Sequence, residues 1–466
     1  MAEERATLNF GRYYWRILLP FTLLIIFTFI PLPVEQEIQY TLAIFLCVAA
    51  LWTLEPIPLI ATALLIPVLL VAYGIFKPGE ALVPYADPII FLLLGGLILA
   101  ESMHVCGLDR RLALYMTLRS DGRRFKVLAY TMLVAAFLAM WISNTATVAL
   151  LIPVALRIAR EGGDEGKLYL PLMMGIGVGA GAGGMATFIG TPTNAITFGL
   201  LENVDPLTLL EWMMVGVPAF LVTFICGLLV LYWLYPGKAS VPLDAIKGEW
   251  AQLGPLSGKE KRTLTVFLVT VALWIGGSLV VTYTDFSSGA LSIAMVALLS
   301  AVVLFSVRSI TWDQARQVQW DVLFVVGSGL AMGAALISSG TSEWLAEVMG
   351  QYLEGLPLIL IIMVVGFISL VLTNFLSNTA TVAVMVPLLI TVSANLDASP
   401  YYLVLTATFV ASISFATTIG TPPFTLIYGT GKVPRREMAR SGILVSIPAT
   451  IAVCLVVYGI VSLGVF

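Results

Sequence analysis

Charged residues and histidine are scarce in this chain of 466 residues. Charged residues make up 11% of the sequence and hydrophobic residues 59%, and the mean hydropathy is +0.99. A soluble globular protein of this length does not need so much apolar surface, so we expect a polytopic membrane protein embedded in a lipid bilayer. With a net charge of −3 and one histidine there is no basic face, which excludes nucleic acid as a partner.

Cysteine is also rare. The four cysteines lie in or beside apolar segments and have no paired spacing: Cys47, Cys106, Cys226 and Cys454. This pattern favours small buried hydrophobic side chains over disulfides or metal ligands. No redox role is indicated.

One polar phrase occurs twice inside long apolar stretches. Residues 141–149 (WISNTATVA) return 234 positions later as residues 375–383 (FLSNTATVA). We call Ser143–Thr145 tip 1 and Ser377–Thr379 tip 2. Two further landmarks repeat in the same order: the sequence Ile-Gly-Thr-Pro ends at Pro192 and again at Pro422, and Asp87 and Asp321 each precede an apolar run. Three landmarks at a nearly constant offset indicate a duplicated unit.

The apolar segments predict an all-α membrane protein with eleven spanning helices. They lie near 17–34, 39–54, 57–76, 84–105, 168–201, 211–235, 262–284, 289–307, 320–339, 400–430 and 441–465. The stretches 127–157 and 356–394 are each interrupted by a tip. They are too long for one span and too short for two, which predicts two re-entrant hairpins.

The placement of lysine and arginine predicts the orientation, because short cytoplasmic loops carry the positive charges. With both hairpins re-entrant, 23 of the 24 lysine and arginine residues lie on the side of the N-terminus, and only Lys77 lies opposite. We therefore expect a cytoplasmic N-terminus, a C-terminus outside, and a bacterial inner membrane. The first apolar run has no cleavage site after it and is interpreted as a retained span.

This layout divides the chain into four parts. They are an N-terminal tail with the first helix (1–38), a first repeat (39–235), a cytoplasmic linker (236–261) and a second repeat (262–466). Each repeat has five spans and one hairpin. Because five is odd, the copies insert in opposite orientations, as in secondary transporters.

The tips are the candidate binding sites. The first arm of a hairpin ends at the tip with free carbonyls, and the second arm begins there with free N–H groups, so one end suits a cation and the other an anion. The alternative is that Ser and Asn only cap a helix and pack across an interface. Proline at 192 and 422 predicts that the helices after each hairpin are broken, with a simple kink as the alternative.

The stretches around tip 1 and around the two predicted broken helices contain no charged residue. Stretches 127–156, 168–201 and 398–431 contain no Asp, Glu, Lys or Arg. An anion bound at the tips would need a cation, and sodium suits neutral oxygen ligands.

Four ionisable residues outside the tips are further candidates. Asp87, which precedes Pro88, and Asp321 are predicted N-caps. Glu101 and His104 lie one turn apart near the cytoplasmic end of a span, where they either extend to the interface or act in function. The sole histidine is predicted to lie far from both tips, so we do not expect an enzyme.

These motifs resemble the divalent anion:sodium symporter family, the carriers of di- and tricarboxylates and sulfate. The resemblance implies an elevator-type homodimer with alternating access. It implies substrate binding by Ser143, Asn144, Thr145, Thr191, Pro192, Ser377, Asn378, Thr379, Thr421 and Pro422. It implies two sodium sites, formed by Ala139, Ser143, Asn144 and Gly190, and by Thr373, Leu376, Asn378 and Gly420.

The two broken helices depart from the Pro-Pro-Asn pattern that is usual in this family. The first reads Pro192-Thr193-Asn194 and the second Pro422-Pro423-Phe424. Phe424 cannot replace an amide. Because a dianion at tips without Lys or Arg needs bound cations, we predict, despite Phe424, sodium symport of a C4-dicarboxylate or citrate with at least two sodium ions. Two alternatives remain: a sodium-independent dicarboxylate exchanger, and a sulfate or phosphate carrier of the same fold.

Overall fold

The computed structural model of this chain describes residues 2–161, 165–202, 204–237, 243–283, 292–353, 355–418 and 420–464. All regular structure in these ranges is helical, including a short 3₁₀ helix at Val83–Ala86. The α-helices are α1 (Ala2–Phe29), α2 (Gln36–Leu54), α3 (Leu59–Ala72), α4 (Pro78–Leu82), α5 (Pro88–Cys106), α6 (Leu108–Leu118), α7 (Arg124–Ala139), α8 (Asn144–Glu161), α9 (Glu165–Gly184), α10 (Pro192–Glu202), α11 (Leu209–Leu234), α12 (Asp244–Leu253), α13 (Gly258–Tyr283), α14 (Ile293–Ser306), α15 (Trp312–Ala315), α16 (Trp320–Ser338), α17 (Thr341–Leu353), α18 (Leu358–Phe375), α19 (Asn378–Asn395), α20 (Tyr401–Ala411), α21 (Pro422–Gly429) and α22 (Arg435–Ser462).

Seven helical segments of the described chain are long and apolar enough to cross a bilayer. They are Gln36–Leu54, Pro78–Cys106, Leu209–Leu234, Trp320–Ser338, Leu358–Phe375, Asn378–Asn395 and Arg435–Ser462. Shorter apolar helices, such as Leu59–Ala72 and Ile293–Ser306, lie where further spans are predicted. The number of eleven spans stays a prediction.

The length argument for the second hairpin is wrong. Its two arms, α18 and α19, have 18 residues each and are separated by only Leu376 and Ser377. At 1.5 Å per residue each arm is about 27 Å long, close to the thickness of the hydrocarbon core. A turn of two residues consumes almost none of the segment, so 356–394 has enough chain for two spans. Its re-entrant character depends on the charge placement alone.

Both helices predicted to be broken are broken. The stretch 168–201 forms α9 and α10, with residues 185–191 between them, and the stretch 400–430 forms α20 and α21. Pro192 and Pro422 each stand at the first position of the second helix. Proline suits this position because its missing N–H has no helical acceptor there, and its ring fixes φ near the helical value.

One of the two predicted aspartate N-caps is confirmed. The Asp87 carboxylate accepts a hydrogen bond from the Ile89 N–H at 2.9 Å and caps α5. Asp321 does not cap α16, because the helix begins one residue earlier and Gln319 stands at its N-cap. The prediction for Asp321 is therefore wrong, and Gln319 is the N-cap residue of α16.

Three amphipathic helices were not predicted from the sequence. α6 follows α5 and α17 follows α16 at corresponding places in the two halves, and α12 lies within the linker. They are shorter than a membrane span, so a search for long apolar runs does not find them. Glu249 of α12 forms ion pairs with Arg110 of α6 and, at 2.5 Å, with Arg157 of α8, which ties the linker to the second arm of the first hairpin.

The second arm of each hairpin packs against the broken helix of the other half. α8 packs against α21, and α19 packs against α10. At the crossing of α10 and α20, the hydroxyls of Thr197 and Thr408 share a hydrogen bond of 2.7 Å. Both residues are fully buried, so this bond satisfies two polar groups inside an apolar core. The second arm of each hairpin is thus supported by the other half of the chain.

Candidate functional site

Tip 1 is the point where one helix ends and another begins. α7 ends at Ala139 and α8 begins at Asn144. The Ser143 Oγ accepts a hydrogen bond from the Ala146 N–H at 3.3 Å, so Ser143 caps α8 as a serine before a helix commonly does. The remaining N–H groups of the first turn of α8 make this end of the helix electropositive. Thr145 lies in that first turn and is half-buried.

The first broken helix brings a second pair of helix ends to tip 1. Asn194, fully buried in the first turn of α10, donates from Nδ2 to the Gly184 carbonyl at 2.8 Å and to the Thr187 carbonyl at 2.7 Å. The Thr187 hydroxyl in turn donates to the Met140 carbonyl at 2.5 Å. These bonds hold the end of α9, the start of α10 and the end of α7 together.

Carbonyl oxygens converge at Gly190. A Cβ built at this residue would lie 2.6 Å from the Gly184 oxygen and 2.8 Å from the Ala139 oxygen, so only glycine fits between them. The Asn144 side chain lies against Gly184 on the same side. Its Oδ1 is buried and has no hydrogen-bond partner among the described residues. We call Ala139, Ser143, Asn144, Gly184 and Gly190 site 1.

An unpaired buried amide oxygen costs roughly 1–3 kcal/mol. Such an atom beside two helix carbonyls offers the neutral oxygen ligands that sodium accepts. Ala139, Asn144 and Gly190 were all predicted as ligands, and Gly184 was not. No titratable group lies within the set, so any stabilisation of a cation here comes from carbonyl and amide dipoles.

Tip 2 has a similar framework. The Ser377 Oγ accepts from the Ala380 N–H at 3.2 Å and caps α19, and the Asn378 N–H donates to the Gly420 carbonyl at 3.3 Å. The Thr417 hydroxyl donates to the Asn374 carbonyl at 2.8 Å. Thr187 and Met140 make the matching bond at tip 1, at the same sequence offsets of 230 and 234.

The oxygens at tip 2 are already paired within the protein. The Thr373 Oγ1 lies 2.7 Å from the Asn378 Oδ1 and 2.6 Å from the Ala411 carbonyl, so these two acceptors share its single proton, and the Ser414 hydroxyl donates to the Thr373 carbonyl at 2.9 Å. We call Thr373, Asn378, Ser414 and Gly420 site 2. Ser414 corresponds to Gly184 of site 1, so a hydroxyl stands where site 1 has no side chain. Leu376, the other predicted ligand, ends α18 with an extended backbone.

The predicted substrate residues differ in how they are held. Thr191 accepts from the Thr193 N–H at 3.1 Å and shares a hydrogen bond with the Thr193 hydroxyl. The Thr421 hydroxyl is buried and has no partner in the described chain. Thr379 is half-buried in the first turn of α19. The helix N-termini at Pro192 and Pro422 direct positive dipole ends toward their sites.

Phe424 occupies the place that corresponds to Asn194. Its side chain is buried, with its ring 5.8 Å from that of Phe415 and in contact with Gly177 of α9. Asn194 binds two carbonyls of its own break, whereas Phe424 packs the second break against the first half. Phe424 thus stabilises the second break by apolar packing, whereas Asn194 stabilises the first break by hydrogen bonds.

Two cavities adjoin tip 1. The smaller one, of about 30 Å³, is bordered by Trp141, Ser143, Gly190, Pro192 and Gln319 together with apolar residues. The larger one, of about 360 Å³, extends from Ser143 past Thr147 to the last turn of α5 and the start of α16. The residues bordering these two cavities include none from tip 2. That both tips contact one substrate stays a prediction.

The position of His104 differs from the prediction. His104 and Glu101 border the same large cavity as Ser143, together with Asp109 of α6. The sequence places His104 some 40 residues from tip 1, but the packing of α5 beside the hairpin puts both at the edge of one space. The prediction is therefore wrong for tip 1, whose Ser143 borders the same cavity as His104.

Trp141 attaches tip 1 to α13. Its ring stacks on Trp274 at 6.4 Å between centroids and meets Phe267 edge-on at 5.3 Å. The corresponding residue at tip 2 is Phe375, which is 65% exposed. The first tip is thus held against a neighbouring helix by an aromatic cluster that the second tip lacks. Pairs of this geometry add about 0.5–1.5 kcal/mol beyond area burial.

Comparisons with known proteins agree on a transporter. A family model described as citrate transporter matches residues 49–408. A sodium-dependent dicarboxylate transporter SdcS of Staphylococcus saprophyticus is 32% identical, covering 98% of this chain and 93% of that protein. An uncharacterized transporter of Haemophilus influenzae is also 32% identical, over 92% of this chain and 93% of that protein.

A solved structure shares the fold. The YdaH transporter of Alcanivorax borkumensis, described as having an unusual topology, aligns with a TM-score of 0.55 and 13% identity, covering 83% of this chain and 88% of that chain. The apolar helices and the family together make the chain an integral membrane transport protein and not an enzyme. It belongs to the citrate-transporter family, and the membership of the divalent anion:sodium symporters that the sequence predicts is confirmed.

Proposed function

We propose that this protein is a sodium-coupled carrier that imports dicarboxylates such as succinate, malate or fumarate. The observation that carries the proposal is the unpaired, buried Asn144 Oδ1 beside the carbonyls that converge at Gly190. Relatives at 32% and 31% identity are named sodium-dependent dicarboxylate transporters, which supports the same substrate class.

In this proposal sodium ions balance the charge of the substrate. Moving an ion out of water costs several kcal/mol, and helix dipoles and neutral donors offset only part of this cost for a dicarboxylate. Cations in the two sites supply the rest. Site 1 needs an ion more than site 2 does, because the Asn144 oxygen has no partner in the described part of the chain, while the Asn378 oxygen lies 2.7 Å from the Thr373 hydroxyl. We propose at least two ions, with site 1 filled first.

The substrate carboxylates bind at the tips in this scheme. Donors come from Ser143, Asn144 and Thr145 at tip 1 and from Ser377, Asn378 and Thr379 at tip 2, aided by Thr191, Thr421 and the helix ends at Pro192 and Pro422. The unpaired Thr421 hydroxyl supports a ligand role for that residue. Bound sodium and bound carboxylate share the Asn144 region, so each tightens the binding of the other by the same factor.

Transport proceeds by alternating access of an elevator type, in a homodimer of inverted repeats in the bacterial inner membrane. The matched hydrogen bonds Thr187–Met140 and Thr417–Asn374 support two related halves. The charge distribution, with 23 of 24 basic residues on one side, supports a cytoplasmic N-terminus and an outside C-terminus.

A sodium-independent dicarboxylate exchanger is the second candidate. Two observations favour it: the oxygens of site 2 are paired internally, and Phe424 stands where site 1 has the brace Asn194. An exchanger needs substrate on both sides of the membrane and no ion gradient. Counterflow of labelled succinate in sodium-free liposomes therefore separates the two candidates.

The deciding experiment is equilibrium binding of dicarboxylates to the purified protein in sodium and in choline at equal ionic strength. The symporter requires binding that strengthens with sodium and a sigmoidal sodium dependence of uptake. Unchanged affinity in choline rejects the symporter. Competition by citrate, sulfate and phosphate in the same assay defines the anion and tests a sulfate or phosphate carrier.

A further inference from the structure

The large cavity beside tip 1 contains a hydrogen-bonded pair that the proposed function does not use. His104, in the last turn of α5, bonds through Nδ1 to the Asp109 Oδ2 at 2.8 Å. The Asp109 side chain is only 4% exposed, while that of His104 is 59% exposed. The carboxylate is thus fixed in the protein, and the ring that it holds borders the cavity.

This geometry determines what the ring can offer to a ligand. Asp109 accepts a hydrogen bond from the Arg110 N–H at 2.6 Å in addition to its bond with the ring. An ionised carboxylate only accepts, so the ring contributes Nδ1–H to the pair. The opposite nitrogen, Nε2, is then an acceptor in the neutral ring and a donor only when the ring is protonated.

We propose that His104, held by Asp109, is a substrate-contacting residue: its protonated ring donates Nε2–H to a carboxylate of a dicarboxylate in the cavity beside tip 1. The inference rests on the proposed function and adds a proton-linked contact outside both tips. Among the described residues bordering this cavity, His104 is the one side chain that can become a cation. A dianion in the cavity stabilises the protonated ring, so binding of the anion and of the proton favour each other.

The charged neighbours of His104 define the controls. Glu101 lies one turn earlier on α5, and Asp109 lies on α6. The walls from α8 and from residues 317–319 add hydroxyls and amides that do not titrate: Ser143, Thr147, Gln317 and Gln319. On other helices that pack against α5, Glu260 is paired with Arg111 and Asp313 with Arg316, and Asp321 stands in the first turn of α16.

Equilibrium binding of fumarate to the purified full chain in saturating sodium, at about pH 6 and about pH 8, tests the proposal. Both fumarate carboxylates stay ionised over this range, so a change in affinity reports on the protein. We expect the wild-type protein to bind fumarate roughly three- to tenfold more tightly at the lower pH. In His104→Gln the two affinities become equal, because glutamine keeps an amide donor and loses the titrating charge.

Two further variants separate contact from structure. His104→Arg carries a permanent charge and is expected to bind fumarate independently of pH, with at least the affinity of His104→Gln. Glu101→Gln leaves the pair intact, so fumarate binding is still expected to strengthen at the lower pH, with a higher affinity overall because a negative charge at the cavity is removed. A purely structural bond between α5 and α6 predicts that His104→Gln and the wild type share one pH profile.

The outcomes are distinct from those for the proposed function. A wild-type affinity that does not change with pH, or a pH profile retained in His104→Gln, overturns the role of His104 while sodium-dependent binding stands. If His104→Gln does not fold, a pH profile retained in His104→Arg has the same force. Absence of fumarate binding by the wild type in every cation overturns the proposed function, and this inference with it.

Discussion

Asn144 and Gly184 lie so close that a methyl group at position 184 would come within 2.8 Å of the Asn144 Oδ1 and 3.1 Å of its Nδ2. The glycine therefore leaves room for the amide that stands at the centre of site 1. Its counterpart in the second half is Ser414, whose hydroxyl fills the equivalent space. The asparagine oxygens themselves differ through another pair of positions: the Thr373 hydroxyl lies beside the Asn378 oxygen, whereas the corresponding residue in the first half is Ala139, which has no side-chain donor.

Gly184→Ala tests this arrangement. The methyl group is expected to turn the Asn144 amide away from the carbonyls and to raise the half-saturating sodium concentration at least tenfold, the effect of losing about 1.4 kcal/mol or more. Sodium titration of succinate binding measures it. Gly276→Ala is the matched control, because a Cβ at that residue meets no atom within 4 Å. Normal sodium affinity in Gly184→Ala would show that Asn144 is not a ligand.

Asn144→Ala and Asn378→Ala are each expected to abolish nearly all uptake while the protein still folds. The loss of a hydrogen bond to a charged ligand costs about 1.5–3 kcal/mol, or roughly ten- to hundredfold in affinity. Asn144→Asp is more informative, since a carboxylate strengthens sodium binding and repels a dianion. We expect sodium affinity to rise and succinate affinity to fall. Near-normal uptake in either alanine variant would mean that the tips only cap their helices.

Ser414→Ala is expected to lower the half-saturating sodium concentration a few-fold. The substitution removes the hydroxyl that donates to the Thr373 carbonyl and leaves this oxygen free for an ion. The sodium dependence of uptake in proteoliposomes gives the measurement, with Ser393→Ala, a serine bonded to its own helix at Leu389, as the control. A weaker sodium affinity in Ser414→Ala would instead identify the hydroxyl as a ligand.

Phe424→Leu is expected to keep sodium-dependent binding and to lower stability by about 1–2 kcal/mol, because the smaller side chain leaves space beside Gly177 and Phe415. The apparent melting temperature of the purified protein and sodium-dependent binding are measured on the same sample. Loss of sodium dependence with unchanged melting would assign Phe424 a direct part in coupling, contrary to its packing role.

Single cysteines in a background without the four native ones test the orientation. Glu80 is exposed in the first turn of α4, close to Lys77, so Glu80→Cys is expected to react with an impermeant reagent from outside. Gln252 is an exposed residue of the linker helix α12, so Gln252→Cys is expected to react only after the membrane is opened. Reaction of Gln252→Cys in intact cells would reverse the proposed topology.

The duplicated phrases predict a helix break at each tip and at Pro192 and Pro422, but not that Ser143 and Ser377 are the capping residues. These positions follow from local chemistry: serine caps and proline at the first helical position. The set of ligands could be predicted only in part. Gly184 and Ser414 act through what they place beside an asparagine from another helix, and no spacing within the chain encodes that distance. The shared offset of Thr187 and Thr417 was the one available signal for the bonds that anchor the two breaks.

The position of His104 depended on packing in the same way. Its sequence context indicates only a polar residue near the end of a span, while the cavity requires α5, α8 and α16 to assemble. The prediction that the second hairpin is too short for two spans failed for another reason. The turn consists of Leu376 and Ser377 alone, and amino-acid composition does not reveal so short a turn. The two helical arms therefore take up almost the whole segment.

The reciprocal crossing of α8 with α21 and of α19 with α10 has a consequence for biosynthesis. About 280 residues separate the start of α8 from the start of α21. At about 5–20 residues per second, synthesis of that interval takes roughly 15–60 s. Throughout this delay the polar end of the first hairpin has no partner from the second half, although it is already made. The first half therefore carries this polar end without its partner helix until the late helices are inserted, and the packing of α21 against α8 is a closing step of assembly.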